Sequence, residues 1–399
     1  IRAKQRGVLI RIISEEETIG SEIQRLIRNG LPVIFDDFGR NDGQYRMHNK
    51  FAIFDARDFS SASDDWVWTG SYNFSYAATT QNAENVVEIQ DEALARCYTV
   101  EFNEMWGSST DKPDSNVSRF GFRKVDNTPH RFNINGISIL QYFSPSDRVI
   151  NQIIPVIESA NHSLAFCIYD FTQAAVEQKM RKQREQNINF KVRGVFDYVN
   201  SSREENLYRK FKNIGGIGWK PPADVWTWRK SDLLHHKYLI ADADFPTSAP
   251  VAITGSYNWT IAAEHENDEN ILVIHDANIA NQFLQEFSAR YFESGGTNFV
   301  EAGNRPPEQC LLFQNFPNPF NGTTKIQFQL NQPTSISLKI FNLAGQEVKI
   351  LVSETKKAGV YKVDWTGTDS SGQPVSTGIY IYQLKTESQI QQRKLLLIN

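Results

Sequence analysis

Two short stretches limit this chain more than anything else in it. "MHNKFAIFD" (47–55) and "LHHKYLIAD" (234–242) both read His-x-Lys, four residues, then Asp, and their histidines lie 187 positions apart. Each stretch is followed by an identical "TGSYN", at 69–73 and 254–258. In each copy a glutamate stands 14 positions past the motif glycine, Glu84 after Gly70 and Glu269 after Gly255. The same elements recurring in the same order mark an internal duplication. The chain must therefore build one kind of unit twice.

The residues around the second copy show what that unit is. Apolar residues recur with helical period in "DRVINQIIPVIESA", and "FKVRGVFD" is rich in strand formers. The pattern predicts strand 138–143, helix 147–160, strand 163–169, helix 173–186, strand 189–196 and helix 202–213. Alternating strands and helices imply an α/β layer fold. In the first copy "VLIRIIS" corresponds to "FKVRGVF", so its opening strand–helix–strand, roughly forty residues, is expected to be missing. The chain opens without Met on "IRAKQRGVLIRIIS", which reads as the end of a helix running into a strand. An N-terminally truncated chain is the expectation, and the lack of a visible leader says nothing about export. Helices at 91–106 and 276–293 are expected to close the two copies. The resulting division is a first repeat (1–106), a connection (107–137), a second repeat (138–295), a linker (296–310) and a third region (311–399).

That third region has another character. "TTKIQFQL", "SISLKIFN", "EVKILVS", "GVYKVDWTG", "GIYIYQLKT" and "QQRKLLLI" are short alternating segments separated by turns such as "DSSGQP". They predict an all-β sandwich. Charge separates the regions as well. Residues 310–399 hold 9 Lys/Arg against 5 Asp/Glu, whereas the rest holds 33 against 41. An excess of eight acidic groups argues against a generic nucleic-acid coat, whose affinity comes largely from neutralised phosphates, but leaves room for a locally basic cleft. No stretch approaches the ~18 apolar residues of a membrane helix. Cys97, Cys167 and Cys310 cannot form a disulfide framework, and there is no zinc spacing. Cys167, in "SLAFCIYDF", is expected to be a buried thiol.

In a strand, residues i and i+2 share a face. His48 and Lys50 should project together, as should His235 and Lys237. Asp55 and Asp242 fall at the other parity and are expected to support structure. Ser71 with Asn73, and Ser256 with Asn258, should also share faces. Gly70 and Gly255 would let backbone and ligand approach closely. Two imidazoles, two ammoniums and two amides converging on one point suit a phosphodiester. Lysines supply positive charge, and Ser and Asn supply hydrogen bonds to oxygens on which charge develops. One neutral His can attack phosphorus, while the other, protonated, donates to the leaving alkoxide and then serves as base for water. Glu84 and Glu269 are candidates to fix the ring tautomers. This chemistry needs no metal and no cofactor. His236 should face away from His235, as packing or surface. Trp66, Trp68, Trp226 and Trp228 read mainly as buried aromatics, with substrate stacking for the rest. Arg229 and Lys230 read as a solvated charge pair rather than a basic rim. His130, His162, His265 and His275 have no partner that sequence reveals.

With His48, Lys50, Asp55 and Gly70–Asn73 in one copy, and His235, Lys237, Asp242 and Gly255–Asn258 in the other, residues 1–295 resemble the phospholipase D superfamily. The resemblance implies two α/β repeats packed around a pseudo-two-fold axis, with one shared active site at their junction. It implies a two-step phosphohistidine mechanism, with His48 as nucleophile, His235 as acid and base, and Glu84 and Glu269 orienting the rings. The tail, with "LLFQNFPNPFNGTTKIQFQL", "AGVYKVDWTGTDSSGQPVSTGIYIYQL" and "RKLLLIN", resembles a type IX secretion C-terminal sorting domain. That resemblance implies type IX machinery as a partner of 311–399, and a secreted or cell-surface protein of a Gram-negative bacterium. The expected function is a secreted phosphodiesterase acting on phospholipid or nucleic acid. An extracellular endonuclease, a transferase using an alcohol in place of water, and a catalytically inactive surface binding protein are the alternatives.

Overall fold

Eight strands, all from the second copy and the segment leading into it, form the largest sheet. Strands β1 (Ile12–Ser14), β2 (Val33–Phe35), β3 (Phe51–Phe54), β4 (Trp66–Gly70) and β5 (Val86–Gln90) belong to the first copy. β6 (Arg131–Ile134) and β7 (Ile137–Ser144) follow the connection, and β8 (Ser163–Ile168), β9 (Lys191–Asp197), β10 (Asp224–Trp228), β11 (Lys237–Ala241), β12 (Val251–Gly255) and β13 (Glu269–His275) complete the second. The large sheet runs β10-β9-β8-β11-β12-β13-β7-β6. Strands β8, β9 and β10 are parallel, and the remaining pairings are antiparallel. Every residue of β8, β11 and β12 is buried, which is why these segments read as unbroken apolar runs rather than alternating ones. The computed structural model describes residues 1–399 apart from 40–45, 59, 246–247, 297–309, 314, 316–317, 319, 388 and 399. The chain divides into two units, Ile1–Thr297 and Asn298–Asn399.

The first copy repeats this plan in two pieces. β1 and β2 pair in parallel like β9 and β10, and the sheet β3-β4-β5 is antiparallel like β11-β12-β13. β8 joins β9 to β11 in the second copy, whereas no strand lies between β1 and β3 among the described residues. The difference shows in the aromatics. Trp259 exchanges backbone hydrogen bonds with Asp170, Thr172 and Gln173 just past β8 and is buried, as is Tyr257. Their counterparts Phe74 and Tyr72 pack against Trp68 and each other, and Phe74 is 70% exposed. Among the four tryptophans near the motifs, Trp228 is buried and Trp66 is exposed, with Trp68 and Trp226 between. Burial therefore accounts for fewer of them than expected.

Helices Glu92–Trp106 and Ala277–Glu293 close the two copies. Each starts at an aspartate, Asp91 or Asp276, whose carboxylate accepts the backbone N–H three residues on. Two expected helices differ. The one predicted over 147–160 begins at Ile150, because Arg148 is left-handed (φ 50°) and the Asp147 carboxylate accepts the Phe143 N–H instead of continuing a helix. Of the one predicted over 202–213 only Tyr208–Phe211 is α-helical, after a separate turn of helix at Tyr198–Ser201. Leu207 is buried and gives its N–H to the Phe171 carbonyl, and Asn206 binds Asp170, so tertiary contacts break the helical run. Among the apolar clusters of the described residues, two hold most of the unit. One lies within the second copy and includes Phe166, Phe171, Phe196, Phe211 and Trp259. The other joins first-copy residues Val67, Leu94 and Tyr98 to Phe132, Phe143, Leu272 and Ile274.

The smaller unit is a pair of antiparallel sheets. Its strands are β14 (Leu311–Leu312), β15 (Thr324–Leu330), β16 (Thr334–Asn342), β17 (Glu347–Lys356), β18 (Gly359–Trp365), β19 (Gly378–Lys385) and β20 (Ile390–Leu397), ordered β14-β15-β18 and β17-β16-β19-β20. Alternate residues of β15 and β16 are buried. Ile326, Phe328, Leu338, Ile340, Trp365 and Tyr382 line its core. The predicted linker lies outside the described residues, except Gly296 and Cys310. All three cysteines are free and buried.

Candidate active site

The first link in the site is the way each motif strand is started. Asp197, at the end of β9, accepts the N–H of Leu234, the residue before His235 (3.1 Å). Glu15, just past β1, accepts that of Met47, the residue before His48. Neither carboxylate belongs to the repeated pattern, and sequence reasoning missed both. Their only signal was position, at the end of a parallel strand, where α/β sheets present polar groups. The motif histidines are then paired across the repeats. His48 N–H binds the Asp268 carbonyl (3.0 Å) and His235 N–H binds the Ala83 carbonyl (3.0 Å). Each motif of one copy thus lies against the segment that enters the last strand of the other.

The side chains cross in the same way. His48 Nδ1 lies 2.7 Å from Glu269 Oε2, and His235 Nδ1 lies 2.9 Å from the Glu84 carboxylate. Each ring is oriented by a glutamate of the opposite copy. Asn270 Nδ2 donates to Asn49 Oδ1 (3.0 Å), and Asn85 Oδ1 faces His236 Nδ1 (3.2 Å), so the residues after the glutamates cross as well. The lysines turn back on their own motifs. Lys50 Nζ donates to the His48 carbonyl (2.7 Å) and Lys237 Nζ to the His235 carbonyl (2.6 Å). The ring of Tyr169, another residue the motifs did not flag, lies 4.8 Å from the His235 ring and 5.0 Å from Lys237 Nζ.

Burial and mutual charge set the electrostatics. Burial pushes the His48 imidazole below its ordinary value; Glu269 opposes this and Lys50 adds to it. His235 is driven well below, by burial and then by Lys237, Lys50 and His48. That all three act on His235 reflects convergence of the two copies on one place. Burial brings Lys50 down to about 8 and, together with the Lys50 charge, brings Lys237 down to about 7. Burial raises Glu84 to about 7. The rings differ in access: the His48 side chain is 25% exposed and that of His235 7%.

The remaining predicted residues separate into those at the site and those away from it. Asn73 and Asn258 are half-buried, and Asn258 Oδ1 is a buried oxygen with no hydrogen-bond partner. An amide in that state is suited to an incoming polar group. Ser71 and Ser256 are fully buried and committed to protein. Ser71 Oγ donates to Glu84 (2.7 Å) and accepts the Asn85 N–H (3.0 Å), and Ser256 Oγ accepts the Asn270 N–H (3.1 Å). The serines brace the glutamate strands, and the expected parity with the asparagines fails because β4 and β12 end at the glycines. Gly70 and Gly255 (φ 158° and 155°) serve a close approach, though not of ligand. A Cβ there would stand 2.2 Å and 2.1 Å from the carbonyl oxygens of Asn85 and Asn270.

Asp55 and Asp242 follow their strands in left-handed turns (φ 59° and 54°), outside the alternation assumed for them. Asp242 is buried and accepts the N–H groups of Asn161, His162 and Ser163 (each 2.8 Å) and the Ser248 hydroxyl (2.6 Å). Burial raises its pKa, but these bonds outweigh burial and leave it below the ordinary value. Its stabilisation is present above the unfolded pKa and is lost as pH falls through the folded one. Asp55 is exposed and is not drawn into the site. Asp242→Ala is expected to lower stability by about 3 kcal/mol, having stranded several buried donors. Asp55→Ala strands no such donors and should cost only about 1 kcal/mol, from alanine in the left-handed turn. Urea titration of both variants checks this, and equal effects would contradict the structure.

His236 is fully buried, held by Asn85 and by Glu286 (3.0 Å). Lys230 pairs with Glu293 (2.9 Å), as a solvated charge pair should, while Arg229 lies over the Tyr198 ring (4.5 Å). Asp126, His130 and Asp147 form the single metal-sized group among the described residues. It includes no motif residue, and His130 already spends Nε2 on Asp126 (3.1 Å) and Nδ1 on the Gln141 carbonyl (3.0 Å).

Comparison with known proteins agrees with this geometry. The family described as "Cardiolipin synthase, PLD-like domain" matches residues 1–106 and 153–291, and the FlgD Ig-like domain matches 315–389. Mouse mitochondrial cardiolipin hydrolase is 26% identical over 156 residues, 39% of this chain and 63% of that protein. A phospholipase D of Rickettsia bellii is 26% identical over 179 residues, 43% of this chain and 82% of that protein. The chain thus spans less than two thirds of the length of the cardiolipin hydrolases it matches. The structure of Nuc, a phospholipase D family member from Salmonella typhimurium, aligns with 39% of this chain and 95% of its own, at 25% identity and a TM-score of 0.33. No helix among the described residues is long and apolar enough to cross a membrane. Matched over more than half its length, and carrying both histidine–lysine motifs against one another, the chain belongs to the PLD-like domain family, with an Ig-like domain behind it.

Proposed function

We propose that the larger unit hydrolyses phosphodiesters in two displacements through a phosphohistidine, with phospholipid as substrate. The crossed pairs His48–Glu269 and His235–Glu84 carry this reading. A carboxylate accepts only, so His48 Nδ1 bears the proton and Nε2 offers its lone pair. His48 Nε2 attacks phosphorus, the bond to the leaving oxygen breaks, and His235 Nε2 gives that oxygen a proton. Water then attacks phosphorus and passes a proton to His235, the P–N bond breaks, and His48 is restored. In the free protein burial, and then the lysines, push His235 toward the neutral form. The anionic substrate offsets their charge and lets His235 hold the proton it must donate. The more accessible ring, His48, is the nucleophile.

Phospholipid is favoured over nucleic acid by the acidic excess of residues 1–309 and by relatives named cardiolipin hydrolase and phospholipase D. We further propose that the Ig-like unit addresses the protein to type IX secretion and hence to the surface or medium of a Gram-negative bacterium, on the tail segments quoted above. A chromogenic phosphodiester should be hydrolysed undiminished in excess EDTA. Activity that disappears with chelator and returns with a divalent ion would overturn the metal-free route. A panel of phosphatidylcholine, cardiolipin, single-stranded and duplex DNA at fixed salt tests the substrate, and exclusive turnover of DNA would make it a nuclease. A reporter fused to 311–399 should be exported by cells with type IX machinery, and retention would overturn the address.

A further inference from the structure

The connection between the two repeats carries a lysine that no motif flags. Lys124 is 5% exposed as a residue, and its side chain is wholly covered. Its ammonium lies 2.5 Å from Glu101 Oε1, on the helix that closes the first copy, and 3.2 Å from Asp268 Oδ1, in the second copy. The Gly121 N–H, from the same connection, donates to Asp268 Oδ1 (2.8 Å). Asp268 precedes Glu269, and its carbonyl accepts the His48 N–H while its own N–H goes to the Arg46 carbonyl (2.9 Å). One residue therefore touches both His48, through backbone, and the glutamate that orients the His48 ring, through the chain.

Resting on the function proposed above, we propose that Lys124 is a positioning residue for the His48–Glu269 pair, acting through Asp268. The Asp268 carboxylate is buried, and a positive partner beside its hydrogen bonds helps keep a buried carboxylate ionised and in place. Lys124 is that partner. It is held from the other side by Glu101, so the three segments lock together at Asp268. With Asp268 fixed, the next residue delivers its carboxylate to His48 Nδ1 at 2.7 Å. The device is one-sided. Ala83 takes the place of Asp268 in the other crossing, where the His235 N–H binds its carbonyl, and an alanine offers no carboxylate to anchor. The connection thus makes the two histidine–glutamate pairs unequal, although the motifs around them are identical.

Three substitutions in the full chain test this: Lys124→Met, Asp268→Asn and Glu101→Gln. Asp268→Asn retains the acceptor for Gly121 and the backbone, so it remains informative if Lys124→Met does not fold. The readouts are kcat and KM on a chromogenic phosphodiester, and titration of each imidazole by NMR. Lys124→Met and Asp268→Asn are expected to lower kcat about 10- to 100-fold with KM within about twofold, the loss typical of a misplaced reacting group. Both should shift the His48 titration and leave that of His235 in place. Glu101→Gln breaks the same ion cluster without reaching His48, so it should lose thermal stability and keep kcat within about twofold. Asp268→Asn with unchanged kcat and an unshifted His48 overturns the proposal, as does a kcat loss in Glu101→Gln equal to that in Asp268→Asn. If the wild type hydrolyses no phosphodiester, the function fails, and the imidazole titrations still decide the role of Lys124.

Discussion

His48→Asn is expected to lower kcat for a chromogenic phosphodiester by about 10,000-fold, with the fold intact. Removing the attacking nitrogen leaves His235, the lysines and the asparagine amides with no nucleophile to assist, and loss of a covalent nucleophile is among the costliest single changes an enzyme site can suffer. Asn is close in size, and the His48 ring is partly exposed, so the thermal midpoint should move little. Substrate affinity should persist, because Lys50, Lys237, Asn73 and Asn258 remain. A chain that merely bound phosphodiesters would show unchanged affinity and no turnover to lose. His235→Asn should cost a comparable factor on a poor leaving group. The loss should shrink on a good one such as nitrophenolate, which departs without a proton. Equal losses on both leaving groups for His235→Asn, with leaving-group sensitivity in His48→Asn instead, would reverse the two roles.

Glu269→Gln is expected to lower kcat about 100- to 1,000-fold, and Glu84→Gln only about tenfold. The carboxylate of Glu269 accepts from His48 Nδ1 at 2.7 Å, with no second acceptor for that nitrogen among the described residues. A glutamine there can present its NH2, which favours the tautomer with the proton on Nε2 and closes the lone pair that attacks phosphorus. His235 is better protected. Its Nδ1 also lies 3.2 Å from the Ser71 carbonyl, an acceptor that no substitution at Glu84 removes. That carbonyl keeps the ring in its working tautomer when Glu84 is lost. Measured kcat values for the two variants decide the matter. Losses of the same size would show that the Ser71 carbonyl does not hold the ring.

Several features of the site were legible before any coordinates. The recurrence of His48–Lys50 at His235–Lys237, and of Gly70–Asn73 at Gly255–Asn258, marked one unit built twice. The period of "DRVINQIIPVIESA" and the apolar runs around it marked that unit as layered α/β. Glu84 and Glu269 stand out as candidate ring partners by their equal spacing from Gly70 and Gly255. Other features failed at the level where local pattern yields to contact. Helix 202–213 broke because Leu207 and Asn206 bond to the β8 end of the second copy. The serines were assigned to the substrate by a strand parity that stops at Gly70 and Gly255. Asp55 and Asp242 look alike in sequence, yet only Asp242 meets a backbone that needs it.

The order of amino acids already carried the chemistry of the groups and their number, because a duplicated pattern of imidazole, ammonium, amide and carboxylate survives any rearrangement of the chain. It also determined the two classes of domain, because apolar periodicity is a local property. Who pairs with whom came from the packing of the two copies against each other. Each histidine takes the glutamate of the other copy, and Asp268, Lys124, Glu15 and Asp197 hold the motif strands from segments far away in order. Such partnerships depend on how two sheets are brought together, and spacing along one chain carries no information about a distance across the fold.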